Sequence, residues 1–254
     1  MVVEVQSRNA PIPTEPVASL RTATPRVALL AGFEVTRDGH PTPFPLAVQR
    51  LVAFLAVQAR PALRLHVAGV LWPDTPEERA SANLRSTLWR HHQTGCRLVN
   101  ATGQHLGLAP DVRVDLRELT GVAHRLLEGS FAPDDPEYGR LCQSGELLAD
   151  WYDEWVLMER ERFRQLRLHA LEKLCEEFTR LRLFGLAVQA GVASVAVEPL
   201  RESAQRVLIR AHLAEGNRGE AIRQYQAYRG ILKTELGLEP TAEMRSLMDP
   251  LSAR

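Results

Sequence analysis

Between Glu78 and Asp111 the sequence contains no acidic residue, although the whole chain has 31 basic and 31 acidic residues. Within this gap lie four arginines and two adjacent histidines, namely Arg79, Arg85, Arg90, Arg97, His91 and His92. A carboxylate near a phosphate lowers the affinity of a protein for a polyanion, because binding depends on releasing the counterions of that polyanion. The gap therefore predicts a surface that binds nucleic acid. The alternative is a solvated basic helix face, which is common in ordinary proteins.

The helical periodicity of residues 80–93 separates a packing face from an outward face. Ala80, Leu84, Leu88 and His91 share the packing face with Thr87. Outward arginine suits guanine edges, asparagine and glutamine suit adenine, and hydroxyls serve bases or phosphates, so this face suits a DNA major groove. The candidate DNA-contacting residues, with one arginine from the segment after the helix, are Arg79, Asn83, Arg85, Ser86, Thr87, Trp89, Arg90, His92, Gln93 and Arg97. A tryptophan here also has a second interpretation, packing against a neighbouring domain.

The residues before this helix predict short strands and two further helices. Residues 26–45 alternate in hydrophobicity about an Asp38-Gly39 turn, which indicates a hairpin. Pro45 predicts the start of a first helix, because proline lacks the N–H that would be unpaired there. A short second helix follows and ends at Pro73.

The basic helix itself has signals at both ends. Asp74 or Thr75 could cap its N-terminus, with Pro76 at its first position, and Gly95 predicts its end. The residues after Gly95 predict two short strands about a turn, from which Arg97 could reach the DNA backbone or minor groove. The order of strands, three helices and a hairpin is typical of a winged helix-turn-helix.

From about residue 114 onward the sequence predicts only helices. A long one from about Trp151, ended by Gly185, carries an apolar stripe made of Tyr152, Trp155, Val156, Phe163, Leu166, Ala170, Leu174, Phe178 and Leu181. Farther on, Gly216, Ala221 and Tyr225 have the spacing of a tetratricopeptide unit. An irregular helical bundle is the alternative to such a repeat.

The chain is therefore predicted to be mainly α, with a winged helix-turn-helix that contains small β elements, followed by an all-α tetratricopeptide-like domain. The boundaries are a disordered tail at residues 1–25, a DNA-binding domain at 26–111 and a helical domain at 112–254. Residues 26–111 have 9 arginines against 6 acidic residues, whereas residues 112–254 have 20 basic against 23 acidic residues. This asymmetry fits one module that faces a polyanion and a second with another role.

The sequence also argues against several other classes of protein. No apolar run approaches the ~18 residues that cross a bilayer, and the N-terminus lacks the pattern of a secretory signal. Cys96, Cys142 and Cys175 have no metal-ligand spacing, and we expect reduced thiols in a cytoplasmic protein. We expect no bound metal, no cofactor and no contact with membranes.

No residue pattern in this sequence convincingly indicates a catalytic site. His91 and His92 are adjacent on a helix, so their side chains point about 100° apart and cannot hold one metal ion together. Asp153 and Glu154 lie beside tryptophans, as in some glycosidases, but a solvated helix start with aromatic core residues explains them better. We therefore predict no enzyme.

The segments "LWPDTPEERASANLRSTLWR", "GELLADWYDEWVLMERERFRQLRLHALEKL" and "VEPLRESAQRVLIRAHLAEGNRGEAIRQYQAYRGILKTELGLEP" resemble the actinobacterial SARP-type activators. This resemblance covers about residues 26–250. It implies a winged helix joined to a bacterial transcriptional activator domain of tetratricopeptide type. It further implies binding to direct repeats of promoter DNA as a homodimer and contact with RNA polymerase, often its sigma factor. Genes of secondary metabolism are the expected targets. The recognition helix would span about residues 77–93 and the wing residues 97–109.

The sequence departs from that family at the end of the recognition helix. His91, His92 and Gln93 stand where relatives usually have a core leucine followed by arginines. This change weakens the basic contact there and could make DNA binding sensitive to pH. It also supports an alternative function, a tetratricopeptide-type protein-interaction regulator whose DNA binding is weak or lost.

Overall fold

The computed structural model describes residues 24–249 and shows a mainly helical protein with two small N-terminal sheets, which confirms the predicted fold class. Residues 1–23 and 250–254 lie outside the described part of the chain. The disordered tail predicted for residues 1–25 falls almost wholly among them. Seven strands, β1 to β7, and ten helices, α1 to α10, occur within residues 24–249.

A four-stranded sheet opens the described chain, with the strand order β3-β2-β1-β7. Its strands are β1 (Arg26–Ala28), β2 (Glu34–Arg37), β3 (His40–Pro41) and β7 (Arg113–Val114). β1 runs antiparallel to β2 and parallel to β7. Asp38 and Gly39 have φ angles of 54° and 77°, the positive values that a two-residue hairpin turn requires at both central positions. The predicted Asp-Gly turn is confirmed.

Three helices and a second sheet complete the N-terminal unit. The helices are α1 (Leu46–Val57), α2 (Arg64–Leu71) and α3 (Glu77–Gln93), and the strands are β4 (Ala62–Leu63), β5 (Val99–Thr102) and β6 (His105–Leu108). β5 and β6 form the predicted wing. β4, which the sequence analysis did not predict, pairs with β6 and attaches the wing to the segment between α1 and α2.

The first helix forms the centre of this unit. Its residues 51–56 are all buried, because α1 contacts α2, α3, β6 and α4 on different sides. Pro45 occupies the N-cap position of α1, as its missing N–H predicts. The start of α3 differs from the prediction, since Pro76 is its N-cap and no side chain caps it. Glu77 and Glu78 instead provide negative charge at the positive end of the helix dipole.

The described chain from residue 115 to residue 249 is helical, as predicted, and most successive helices pack against one another. These helices are α4 (Asp115–Leu127), α5 (Glu137–Gln143), α6 (Glu154–Arg180), α7 (Phe184–Val197), α8 (Glu202–Glu215), α9 (Arg218–Leu236) and α10 (Ala242–Ser246). Gly216 ends α8 with a φ of 94°, a left-handed conformation that glycine adopts without steric cost. The hairpin of α8 and α9 thus has the turn predicted for a tetratricopeptide-like unit.

Two details of the long helix differ from the sequence analysis. Gly185 was predicted to end α6, but the helix ends at Arg180, Arg182 takes the left-handed conformation at φ 61°, and Gly185 lies inside α7. Tyr152 was placed on the apolar stripe, yet it precedes the helix and is 80% exposed. Leu181 lies beyond the end of α6 and is also exposed, so the stripe is shorter than predicted.

The two halves of the chain share a continuous core. The buried carboxylate of Asp115, at the start of α4, accepts hydrogen bonds from the N–H groups of Leu29 (2.9 and 3.0 Å) and Leu30 (3.1 Å). Leu30 also forms a β-bridge with Leu147. The boundary predicted near residue 111 therefore crosses packed structure, and the division into domains at that point stays a prediction.

Two arginines strengthen the junction between the halves. Arg117 of α4 donates to the carbonyl oxygens of Leu55 (2.9 Å) and Ala56 (2.8 Å), which lie at the negative end of α1. Arg50 of α1 forms an ion pair with Asp153, the N-cap residue of α6. The position of the winged helix relative to the helical half is thus set by contacts on two sides of α1.

Candidate nucleic-acid interface

The recognition helix predicted from the sequence is α3, and its inner face is set by residues three or four positions apart. Ala80, Leu84, Thr87 and His91 are buried on this face, which packs against α1 and α2. Such spacing places side chains above one another on one side of a helix. The opposite side of α3 is consequently left to solvent.

The structure brings most of the predicted DNA-contacting residues together on this outer face. Asn83 is half-buried, and the exposed members of the set are Arg79, Arg85, Ser86, Trp89, Arg90, His92 and Gln93. Trp89 is 65% exposed, so its alternative interpretation as a packing residue against a neighbouring domain is wrong. Arg97 is exposed at the start of the wing segment.

Thr87 is the exception within the predicted set. It is only 2% exposed, and its hydroxyl donates a 2.9 Å hydrogen bond to the carbonyl oxygen of Asn83 in the preceding turn. A side chain so placed cannot reach a base or a phosphate. Thr87 is therefore a core residue of the winged helix, and it leaves the set of candidate contacts.

His91 attaches the wing to the recognition helix. Its Nε2 accepts a 3.2 Å hydrogen bond from the N–H of Leu98, and its ring stacks on Phe44 with centroids 6.5 Å apart. Burial lowers the pKa of His91 below its ordinary value, and the neighbouring His92 lowers it further. Both the geometry and the pKa shift favour a neutral imidazole, which can accept the bond from Leu98.

A groove of about 800 Å³ runs between α3 and the wing strand β5. Arg85, Trp89 and His92 line it from the helix, and Asn100 lines it from the wing. Arg64, at the start of α2, also lines the groove and donates a 3.1 Å hydrogen bond to the carbonyl oxygen of Gly103 at the wing turn. The described residues that line this groove include donors and an aromatic ring but no carboxylate.

The arginines of this region have no carboxylate partner in the described part of the chain. Within residues 24–249, no carboxylate lies within ion-pair distance of the six arginines between residues 60 and 97. These are Arg60, Arg64, Arg79, Arg85, Arg90 and Arg97. Their guanidinium groups thus remain available to an external anion, which arginine binds in a bidentate geometry.

Sequence reasoning missed two members of this surface. Arg64 comes from α2, and only the pairing of β4 with β6 brings it to the wing turn. Asn100 lies on the four-residue strand β5. Nothing in the sequence of so short a strand, apart from the nearby turn, indicates that Asn100 faces the groove. The sequence shows that Arg64 lies at the start of the second helix. Its contact with the wing turn, however, depends on the two-residue pairing of β4 with β6, which the sequence does not indicate.

The other clusters considered as sites have structural explanations. Asp153 pairs with Arg50 rather than facing Glu154, and within residues 24–249 no group of His, Cys, Asp and Glu side chains could hold a metal ion. All three cysteines are unpaired thiols, and burial raises the pKa of Cys175 to about 12. No helix in the described part of the chain is long and apolar enough to cross a membrane.

Comparison with known proteins agrees with this arrangement. Residues 137–251 match the family described as the bacterial transcriptional activator domain. The chain is 27% identical to the regulatory protein AfsR of Streptomyces coelicolor over 87% of its length, and 25% identical to AfsR of Streptomyces griseus over 95% of its length. It spans about a quarter of the length of these relatives, 24% and 25% respectively.

A solved structure shares the fold. The structure described as Mycobacterium tuberculosis EmbR in complex with low affinity phosphopeptide aligns with 91% of this chain and 65% of its own, with a TM-score of 0.66 and 22% identity. The order of winged helix and helical hairpins, the matched domain and the AfsR relatives point to the same group of proteins. Residues 137–251 thus match a bacterial transcriptional activator domain, and the chain as a whole is similar to the AfsR regulatory proteins.

Proposed function

We propose that this protein binds promoter DNA in a sequence-specific manner and activates transcription in the cytoplasm. In this proposal α3 enters the major groove with Arg85, Ser86 and Arg90 directed at the bases. The wing, with Arg97 at its start, contacts the adjacent backbone. The observation that carries the proposal is the outer face of α3 and the wing, where exposed arginines have no carboxylate partner within the described residues.

Physical chemistry explains why this surface suits DNA. Arginine binds the O6 and N7 atoms of guanine through two parallel hydrogen bonds, and asparagine or glutamine binds adenine in a similar way. Arginines that are not already paired can neutralise phosphates and release counterions, which is the main source of affinity for any DNA. Arginines in internal ion pairs would have to break those pairs first.

The proposed arrangement on DNA is two chains, head to tail, on direct repeats. Residues 24–249 contain one winged helix, and one recognition helix reads only a short half-site. Two copies with their helices on the same side of the duplex require repeats about 10–11 bp apart, which is one helical turn. The helical half, held to α1 by Arg117 and Arg50, then takes a fixed position for contact with RNA polymerase, in particular its sigma factor.

Protection mapping on genomic DNA of the source organism tests this proposal. We expect protected sites that contain paired repeats, and we expect an insertion of about 5 bp between the repeats to abolish cooperative binding, since it turns one site to the opposite side of the duplex. Unchanged binding after the insertion would indicate a chain that binds alone. Protection of no site at all would contradict DNA binding itself.

A second candidate function is a protein-interaction regulator with weak or absent DNA binding. It is favoured by the end of α3, where the two final residues, His92 and Gln93, are exposed and neither is an arginine. Trp89, with 65% of its surface exposed, would then contact a protein. Gel-shift measurements on promoter fragments distinguish the two functions, because only the first predicts a shift that survives an excess of unrelated DNA.

A further inference from the structure

A half-enclosed cavity of about 450 Å³ lies in the helical half, between α6, α7 and the segment that joins α5 to α6. One wall is apolar and includes Leu147 and Phe163, both buried. α7 contributes Ala193 and Ala196, whose small side chains leave the space open. The volume falls within the ~300–1,000 Å³ that is usual for small-molecule sites in proteins.

Three arginines of α6, the helix that also provides Phe163, line the cavity, and two of them pair with carboxylates. Arg164 pairs with Glu161 at 2.8 Å and with Glu198 at 2.7 Å. Arg160 lies 3.6 Å from a carboxylate oxygen of Glu146 and also donates to backbone carbonyl groups. Neither of these two cations therefore needs a further anion.

The third arginine, Arg167, is in a different state. Its Nε and Nη2 donate to the carbonyl oxygens of Leu141 (3.0 Å) and Cys142 (2.9 Å) at the end of α5. Across residues 24–249, no carboxylate lies within ion-pair distance of Arg167, and its Nη1 has no hydrogen-bond partner. Partial burial disfavours the charged form of this guanidinium and lowers its pKa.

We propose that this cavity binds a small molecule that has one carboxylate and a short apolar chain. The carboxylate accepts hydrogen bonds from Arg167, and the chain lies against Phe163 and the alanine face of α7. Arg167 is half-buried and has no carboxylate partner among the described residues, so a bound carboxylate can form charge-assisted hydrogen bonds with it. One unpaired cation fits a monoanion rather than a phosphate dianion. The proposal is independent of DNA binding.

Octanoate is a suitable probe, and isothermal titration calorimetry on the full chain is the measurement. We expect saturable binding of one octanoate per chain and no saturable binding of 1-octanol, which has the same apolar chain without the charge. Loss of the charged partner in Arg167→Gln should weaken octanoate binding by about tenfold or more. Ala196→Leu fills the cavity from an exposed helix position and should weaken it comparably, while the matched change Ala227→Leu, exposed on α9, should leave it unaltered.

Several outcomes would overturn the proposal. Octanoate that does not bind, octanoate and octanol that bind equally, or octanoate binding that survives Ala196→Leu would each exclude this cavity as a carboxylate site. Should Arg167→Gln fail to fold, the comparison of octanoate with octanol and the pair Ala196→Leu and Ala227→Leu still decide the question. Because the experiment contains no DNA, its failure leaves the proposed function untouched.

Discussion

The arginines of α3 and the wing differ from those of the helical half in what they contact. None of the arginines between residues 60 and 97 has a carboxylate partner within the described residues, whereas most arginines from residue 137 to residue 249 do. Lys173 and Lys233 are paired as well, with Glu177 and Glu239. The residue type is the same in both regions, so the number of arginines alone does not identify a binding surface.

What separates the regions is the distribution of acidic residues. In the helical half, glutamates three or four positions from arginines on the same helix form pairs such as Glu161–Arg164 and Glu177–Arg180. Such pairs keep the surface neutral and stabilise the helices slightly. On α3 the acidic residues end at Glu78, so the arginines that follow keep their full charge toward solvent. Substitutions in the two regions should therefore change different measured properties.

The largest expected effect is on stability, from Arg160→Ala in the helical half. Arg160 donates to the carbonyl oxygens of Leu147 and Trp151, at 2.9 Å each, and its removal leaves buried carbonyl groups unpaired. We expect the free energy of unfolding to fall by roughly 3 kcal/mol, measured by urea denaturation.

Arg162→Ala is the matched control for that change, two residues along the same helix. Its side chain is 72% exposed and its one carboxylate partner among the described residues is Glu159, so we expect less than about 1 kcal/mol of destabilisation. Equal losses of stability for Arg160→Ala and Arg162→Ala would show that the backbone contacts of Arg160 contribute little.

The second effect is on DNA affinity, from Arg85→Ala and Arg90→Ala on α3. Each should weaken binding to a cognate promoter fragment by about 1–3 kcal/mol if the arginine contacts a base. Neither should change the free energy of unfolding by more than about 0.5 kcal/mol, since both side chains are exposed and have no carboxylate partner within residues 24–249. Fluorescence anisotropy gives the affinity, with Arg162→Ala as the variant that should bind normally. Normal affinity in both α3 variants would place the DNA contact elsewhere.

A smaller effect is expected from Arg97→Gln at the start of the wing. A phosphate contact contributes to affinity for every sequence alike, so the loss should be uniform across specific and unrelated DNA. The slope of log affinity against log salt concentration should decrease by about 1. An unchanged salt dependence would mean that Arg97 lies clear of the backbone, and a loss confined to one sequence would indicate a base contact.

The sequence sufficed to predict the elements whose periodicity or turn residues are strong. The Asp38-Gly39 hairpin, the amphipathic α3 and the Gly216 turn all follow from local steric rules and hydrophobic spacing. The end of α6 could not be predicted this way. Glycine often ends a helix, so Gly185 was the expected end of α6, but it is Arg182 that adopts the left-handed conformation.

The contacts that join distant segments were beyond sequence reasoning. β4 is only two residues long, and neither its pairing with β6 nor the position of Arg64 beside the wing has a local signal. By contrast, helical spacing alone placed most of the ten candidate contacts on the outer face of α3. Thr87 is the exception, because its hydroxyl suits a base or a phosphate but its position on the inner face buries it.

The smallest expected effect concerns His91, whose inner position was predicted but whose partner was not. Its Nε2 accepts from the N–H of Leu98, and burial lowers its pKa below the ordinary 6.5. Below about pH 6.5 the unfolded chain takes up a proton at this position while the folded chain does not, so stability contributed by the neutral ring is lost as the pH falls.

His91→Leu should flatten this part of the pH dependence. Its effect at pH 7.5 should be small, because leucine fills the site and the N–H of Leu98 also lies 3.1 Å from the carbonyl oxygen of Cys96. Unfolding free energies of both proteins at pH 7.5 and 5.5 provide the test, since other titrating groups contribute equally to the two and cancel in the difference. A gap between the proteins that stays constant with pH would show that His91 does not titrate in this range. Burial of the neutral His91 ring would then not explain a pH dependence of stability in the winged helix.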